Sequence, residues 1–69
     1  MKISARNVFK GKIVKITDGA INSEVIIEIA GGTKIASVIT KESVKNLNLQ
    51  VGKEAYSIIK ASNVLIAID

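Results

Sequence analysis

The sequence predicts a small all-β fold with one short helix. β-Branched Ile and Val supply much of the 48% apolar content, and such residues suit a pleated, half-buried strand. They fall in short runs separated by Gly, Asn and Asp, the punctuation of an antiparallel β protein. One stretch alone, TKESVKNLNLQVG at 40–52, leaves that pattern for helical spacing.

The first strand is expected over Val8 to Thr17. Phe9 and Ile13 share one parity while Val14 and Ile16 share the other. A switch of parity within one strand indicates a bulge or strong coiling, as when one strand serves both sides of a small barrel. Asp18-Gly19 marks a turn. The second strand, Ile21 to Ala30, alternates clearly. Ile21, Ser23, Val25, Ile27 and Ile29 share one face, with Asn22, Glu24, Ile26 and Glu28 on the other. Gly31-Gly32 closes a tight hairpin, because glycine tolerates the positive φ such turns use. Thr33 to Thr40 then forms a third strand, apolar on both sides and expected to be covered on both.

Thr40 suits a helix cap, Glu42 a first helical turn, and Val44 and Leu47 lie three apart on one face. Lys41 to Leu47 therefore reads as one or two helical turns. Gln50 to Gly52 turns the chain into a fourth strand, Glu54 to Lys60. Ala61-Ser62-Asn63 makes a corner, and Val64 to Ile68 is a fifth strand. Three strands, a short helix and two strands is the order of a five-stranded OB-type Greek-key barrel, with an SH3-like barrel as the alternative that periodicity leaves open.

Sixty-nine residues make one domain, 1–69. A chain of this length buries only about 60% of the surface it exposes when unfolded. Domains so small usually draw on disulfides, a metal or a partner subunit. The chain has no Cys and no His, which excludes a disulfide framework and a zinc site of the usual kind. Self-association is the route left. Lys10, Lys12 and Lys15 interrupt the early apolar runs, so no signal segment is expected. Apolar runs such as Val25-Ile26-Ile27 fall far short of the ~20 residues that cross a membrane. A cytoplasmic protein that does not bind membranes is the expectation.

Enzymatic chemistry has little to work with. Without His or Cys there is neither the usual general base nor a Ser–His or Cys–His nucleophile. Glu24 and Glu28, four apart on one strand face, read as solvated charges. No glycine pattern forms a phosphate loop. The net charge of +4 favours anionic partners. Single-stranded nucleic acid is one such class, but OB barrels bind it by stacking bases on aromatic side chains. Only Phe9 and Tyr56 are available, and both read as core residues.

A small anion suits the sequence better. "SARN", Ser4 to Asn7, offers a hydroxyl, the only guanidinium of the chain and an amide. "KASN", Lys60 to Asn63, offers an ammonium, a hydroxyl and an amide beside a small residue that admits an anion to the backbone. Thr40, where a strand ends and a helix begins, adds a hydroxyl or an N–H. Taken singly, these segments also read as a frayed terminus, a solvated strand-end lysine and a helix cap.

The motifs "SARN", "GAIN", "ITKESV" and "IKASNV", in this order and spacing, resemble those of the molybdenum-pterin-binding proteins, or molbindins. These are free-standing forms of the TOBE or Mop domain, which also occurs in molybdate-responsive regulators and molybdate transporter ATPases. The resemblance covers nearly the whole chain. It implies an OB-type barrel, a homohexamer built as a trimer of dimers, and molybdate or tungstate bound for intracellular storage or homeostasis. It implies oxyanion sites between subunits, the main one using Ser4, Ala5, Arg6, Asn7, Lys60, Ala61 and Ser62 with Thr40 of a neighbour. A second site, at a threefold interface, would use Ala20, Ile21 and Asn22. No free metal cation and no organic cofactor is implied. A pocket without aromatic stacking partners fits the bare oxyanion better than a pterin.

Overall fold

The computed structural model describes residues 1–69. It contains strands β1 (Asn7–Asp18), β2 (Asn22–Ile29), β3 (Lys34–Thr40) and β4 (Glu54–Ile59), with helix α1 (Lys41–Asn46) between the last two. The strands form one antiparallel sheet in the order β3-β2-β1-β4. β1 is the longest strand and serves two neighbours. Its first half pairs with β4, from Asn7 opposite Ile59 to Lys12 opposite Glu54. From Gly11 opposite Ile29 to Asp18 opposite Ser23 it pairs with β2. The sheet curls along this shared strand into a half-barrel.

The expected parity switch is a bulge. Ile13 faces Ile27 and Lys15 faces Ile26, so Val14 is the extra residue. The step carries Ile16, opposite Val25, back to the inner face, which an unbroken alternation would deny it. Gly11 permits the close approach of β2. A Cβ there would stand 2.5 Å from the Glu28 carbonyl oxygen and 2.6 Å from Ile27 Cγ2. At the β2–β3 connection, Gly31 and Gly32 take φ of 84° and 87° within a 3-10 turn, Ala30–Gly32. The Ile29 N–H donates to the Thr33 carbonyl across it at 2.8 Å.

The core is small. Ile13, Val25 and Ile27 are buried, with Ile16, Ile29, Ile39, Val44, Leu49 and Ala55 packed around them. Ser23 is buried as well, and its hydroxyl donates to the Asp18 carboxylate across the β1–β2 turn. Glu24 and Glu28 are exposed, as solvated charges should be. α1 begins where expected: Thr40 Oγ1 accepts from the Ser43 N–H at 3.0 Å, with Glu42 in the first turn.

Four expectations need correction. Val64 to Ile68 forms no strand. The chain leaves the sheet after the 3-10 turn Ala61–Asn63, and Leu65, Ile66 and Ile68 are 91%, 88% and 93% exposed. The outer face of β3 is open, with Val38 exposed there, because the strands form one sheet and no second layer packs outside it. Phe9 and Tyr56 are not core residues, at 37% and 50% exposure. The buried centre is filled by Ile13, Val25 and Ile27, and Tyr56 lies at the rim of the apolar hollow beside them. Finally, Leu49 packs on the core while Leu47 is exposed. The helix ends at Asn46 and Asn48 takes a positive φ of 53°, which turns the chain back so that the second leucine faces inward.

Candidate functional site

The pairing of β1 with β4 decides where the polar motifs meet. Asn7 and Ile59 are the last partners of that ladder. Residues 3–6 therefore enter the sheet beside the point where residues 60–62 leave it, although more than fifty positions separate them in sequence. Ile3, Ser4, Ala5, Arg6, Lys60, Ala61 and Ser62 line one open cleft. Six of these seven residues were expected from the sequence. Ile3 was not, since an apolar side chain carries no signal of anion chemistry, and only its place before Ser4 pointed to it.

Each arm offers donors. Lys60 precedes the 3-10 turn Ala61–Asn63, in which the Asn63 N–H donates to the Lys60 carbonyl at 2.9 Å and the Val64 N–H to the Ala61 carbonyl at 3.2 Å. The N–H groups of Ala61 and Ser62 lie ahead of those bonds, where the first amides of a turn are unspent. Ser4 and Ser62 add hydroxyls, each able to donate one proton.

Arg6 and Lys60 add positive charge that nothing neutralises. The one ion pair of the chain joins Lys10 to Glu54 at 3.5 Å, both exposed and neither in the cleft. No carboxylate lines the cleft. The result is a concave surface of donors and two free cations, suited to an anion that only accepts hydrogen bonds.

Asn7 behaves differently from its neighbours in the motif. Its side chain does not line the cleft; Nδ2 donates across the strands to the Ile59 carbonyl at 3.2 Å. Thr40 also stands apart. It faces Asn22 at the far end of the sheet, and the length of β1, rising about 3.3 Å per residue, separates that end from Asn7. Within one chain Thr40 and the cleft do not meet. Its hydroxyl lies 2.8 Å from Ser43 Oγ, to which it donates, and caps α1.

Ala20 and Ile21 lie in the β1–β2 turn and Asn22 opens β2 opposite Thr40. The Gly19 N–H donates to the Asn22 carbonyl at 2.7 Å, and the Lys41 N–H to the Ile21 carbonyl at 2.9 Å. These three residues are exposed and gather no cleft of their own. The two expected sites thus occupy opposite ends of the subunit.

Comparison with known proteins places the chain in company. The TOBE domain matches residues 3–66. A protein of Haemophilus influenzae named a probable molybdenum-pterin-binding protein is 52% identical over 69 residues, all of both chains. Molybdenum-pterin-binding protein 1 of Clostridium pasteurianum is 48% identical over 66 residues, covering 96% of this chain and 97% of that one. Among solved structures, MopII from Clostridium pasteurianum superposes with a TM-score of 0.93 at 43% identity, over 97% of this chain and all of that one. The cytoplasmic molybdate-binding protein ModG, solved with molybdate bound, gives 0.91 at 46% identity, over 94% of this chain and 46% of its own.

Proposed function

The chain belongs to the TOBE-domain family, and from that premise we propose that it binds molybdate, and tungstate by the same chemistry, as a binding protein rather than an enzyme. The observation that carries this reading is the cleft in which Arg6 and Lys60 converge with Ser4 and Ser62 and no carboxylate. Molybdate near neutral pH is a compact dianion with four acceptor oxygens and no proton to give. Charge-assisted bonds to Arg6 and Lys60 are its strongest single contacts, and the Ala61 and Ser62 amides complete a backbone nest.

The ligand is held between subunits. An open cleft surrounds an ion on one side only, and Thr40, too distant to serve its own chain, serves the cleft of a neighbour by turning its O–H from Ser43 Oγ to the ion while still accepting from the Ser43 N–H. The exposed run Val64 to Ile68 supports the same assembly. Three large apolar side chains in water beside a four-stranded half-barrel with two free edges describe a fifth strand awaiting a partner. A second copy provides it and completes a five-stranded OB-type barrel in each subunit. A homohexamer arranged as a trimer of dimers accommodates both this exchange and a threefold contact, where Ala20, Ile21 and Asn22 form the second oxyanion site. Reversible uptake into such an assembly serves molybdenum storage and homeostasis in the cytoplasm.

Equilibrium dialysis against molybdate tests the reading, with sulfate as competitor and single-stranded oligonucleotide as a parallel ligand. Saturable molybdate uptake that sulfate does not displace is expected. A salt-sensitive complex with the oligonucleotide and no uptake of molybdate would replace the oxyanion by nucleic acid.

A further inference from the structure

We infer that Asn7 sets the width of the oxyanion cleft, and so its preference for a large tetrahedral dianion over a small one, without touching the ion. The inference rests on the proposed oxyanion reading and adds to it the residue that fixes the distance between the two charged arms.

Residues 3–6 and 60–62 both lie outside the β1–β4 ladder, whose last pair is Asn7 and Ile59. Beyond that pair the backbone places no restraint on how far the arms splay. The Asn7 Nδ2 bond to the Ile59 carbonyl, at 3.2 Å, ties the two strands at that point; the other side-chain link between them, the exposed Lys10–Glu54 ion pair, lies toward the far end of the ladder. Asn7 directly follows Arg6, and Ile59 directly precedes Lys60. The bond therefore reinforces the last pair of the ladder, one residue from each cation. Asn7 and Ile59 are both half-buried, while Arg6 and Lys60 are exposed, so the clasp is the sheltered part of the site and the charges face solvent.

Size is what such a clasp can select. Sulfate and molybdate carry the same charge and offer four acceptors each, so neither cation nor hydroxyl distinguishes them. They differ in the reach from centre to oxygen. Donors held at a fixed separation close on the larger ion and leave gaps around the smaller, and a hydrogen bond weakens steeply once stretched or bent. Arms free to move close on both. A residue that touched the ion would act on molybdate and sulfate alike, whereas a residue that sets the width acts on their ratio.

Calorimetric titration of the full chain with sodium molybdate and, by competition, sodium sulfate at constant ionic strength makes that distinction. Asn7→Leu keeps the approximate shape and removes the donor. Its molybdate-to-sulfate affinity ratio is expected to fall about fivefold, with molybdate losing more than sulfate. Should the leucine variant fail to fold, Asn7→Asp also removes the donor; its negative charge weakens both ions, and the ratio is again expected to fall. Equal losses for the two ions, or a lowered melting temperature with the ratio unchanged, overturn the inference and leave the oxyanion reading standing. A wild-type protein that binds no molybdate overturns both.

Discussion

Replacing Arg6 with alanine tests the cleft where its chemistry is most exposed. The guanidinium is the only one in the chain, lines the cleft and takes part in no ion pair. A hydrogen bond to a charged group contributes about 1.5–3 kcal/mol, so molybdate affinity should fall about tenfold to a hundredfold. The figure belongs at the upper end in dilute buffer and the lower end in high salt, because an exposed charge is screened within about 10 Å at 0.1 M. Stability should behave otherwise. Removing a cation usually strands its carboxylate, but here no carboxylate lines the cleft, and the melting temperature of the ion-free protein should not move. Arg6→Lys, which keeps the charge and loses the planar fork, should fall between the two. Isothermal calorimetry and thermal melts on the same samples give both numbers. Unchanged affinity refutes the place of Arg6 in the site, and a loss of affinity matched by a loss of stability refutes the claim that it acts on the ion.

Three further outcomes follow from the fold and the assembly. Gly11→Ala forces a Cβ against the Glu28 carbonyl and Ile27; urea titration should register a loss of about 1–3 kcal/mol, the usual cost of overpacking. Removal of residues 64–69 should lower the oligomer mass in sedimentation velocity, and an unchanged mass would refute a role for the tail in assembly. Neither Arg6→Ala nor Thr40→Ala should bind normally alone, yet unfolding and refolding the two together should restore a fraction of full-affinity sites, since some clefts then combine an intact Arg6 with an intact Thr40 from another chain. No recovery would refute a pocket shared between chains.

What the sequence revealed depended on the range of the interaction. Alternation is local, so the parity switch between Ile13 and Ile16 could be read before the bulge at Val14 was seen. The Thr40 cap is likewise local, set by an oxygen and an amide three residues apart. The Leu47–Leu49 exchange was not legible, because it turns on the left-handed conformation of Asn48, which composition does not fix. Val64 to Ile68 has the pattern of a strand, but a strand exists only where a neighbouring edge accepts its hydrogen bonds. In the site, residue types named both arms of the cleft. Their meeting required the β1–β4 ladder, and the same topology placed Thr40 out of reach. Asn7 was conspicuous for an amide that reads as a ligand, and in the structure that amide donates to a carbonyl across the strands.

The separation of Thr40 from the cleft by the length of β1 gives each subunit two unlike ends, and unlike ends impose an arithmetic. If the proposed site is shared between chains, every contact of one chain's cleft with another chain's Thr40 makes one complete pocket. If two chains satisfy each other reciprocally, the contact closes at once and no end is left over; otherwise it must close into a ring or continue as an open chain. In every closed arrangement the complete pockets equal the chains in number, and an open chain is always one short. With a shared site, the count of tightly held ions per subunit would therefore measure symmetry as much as affinity.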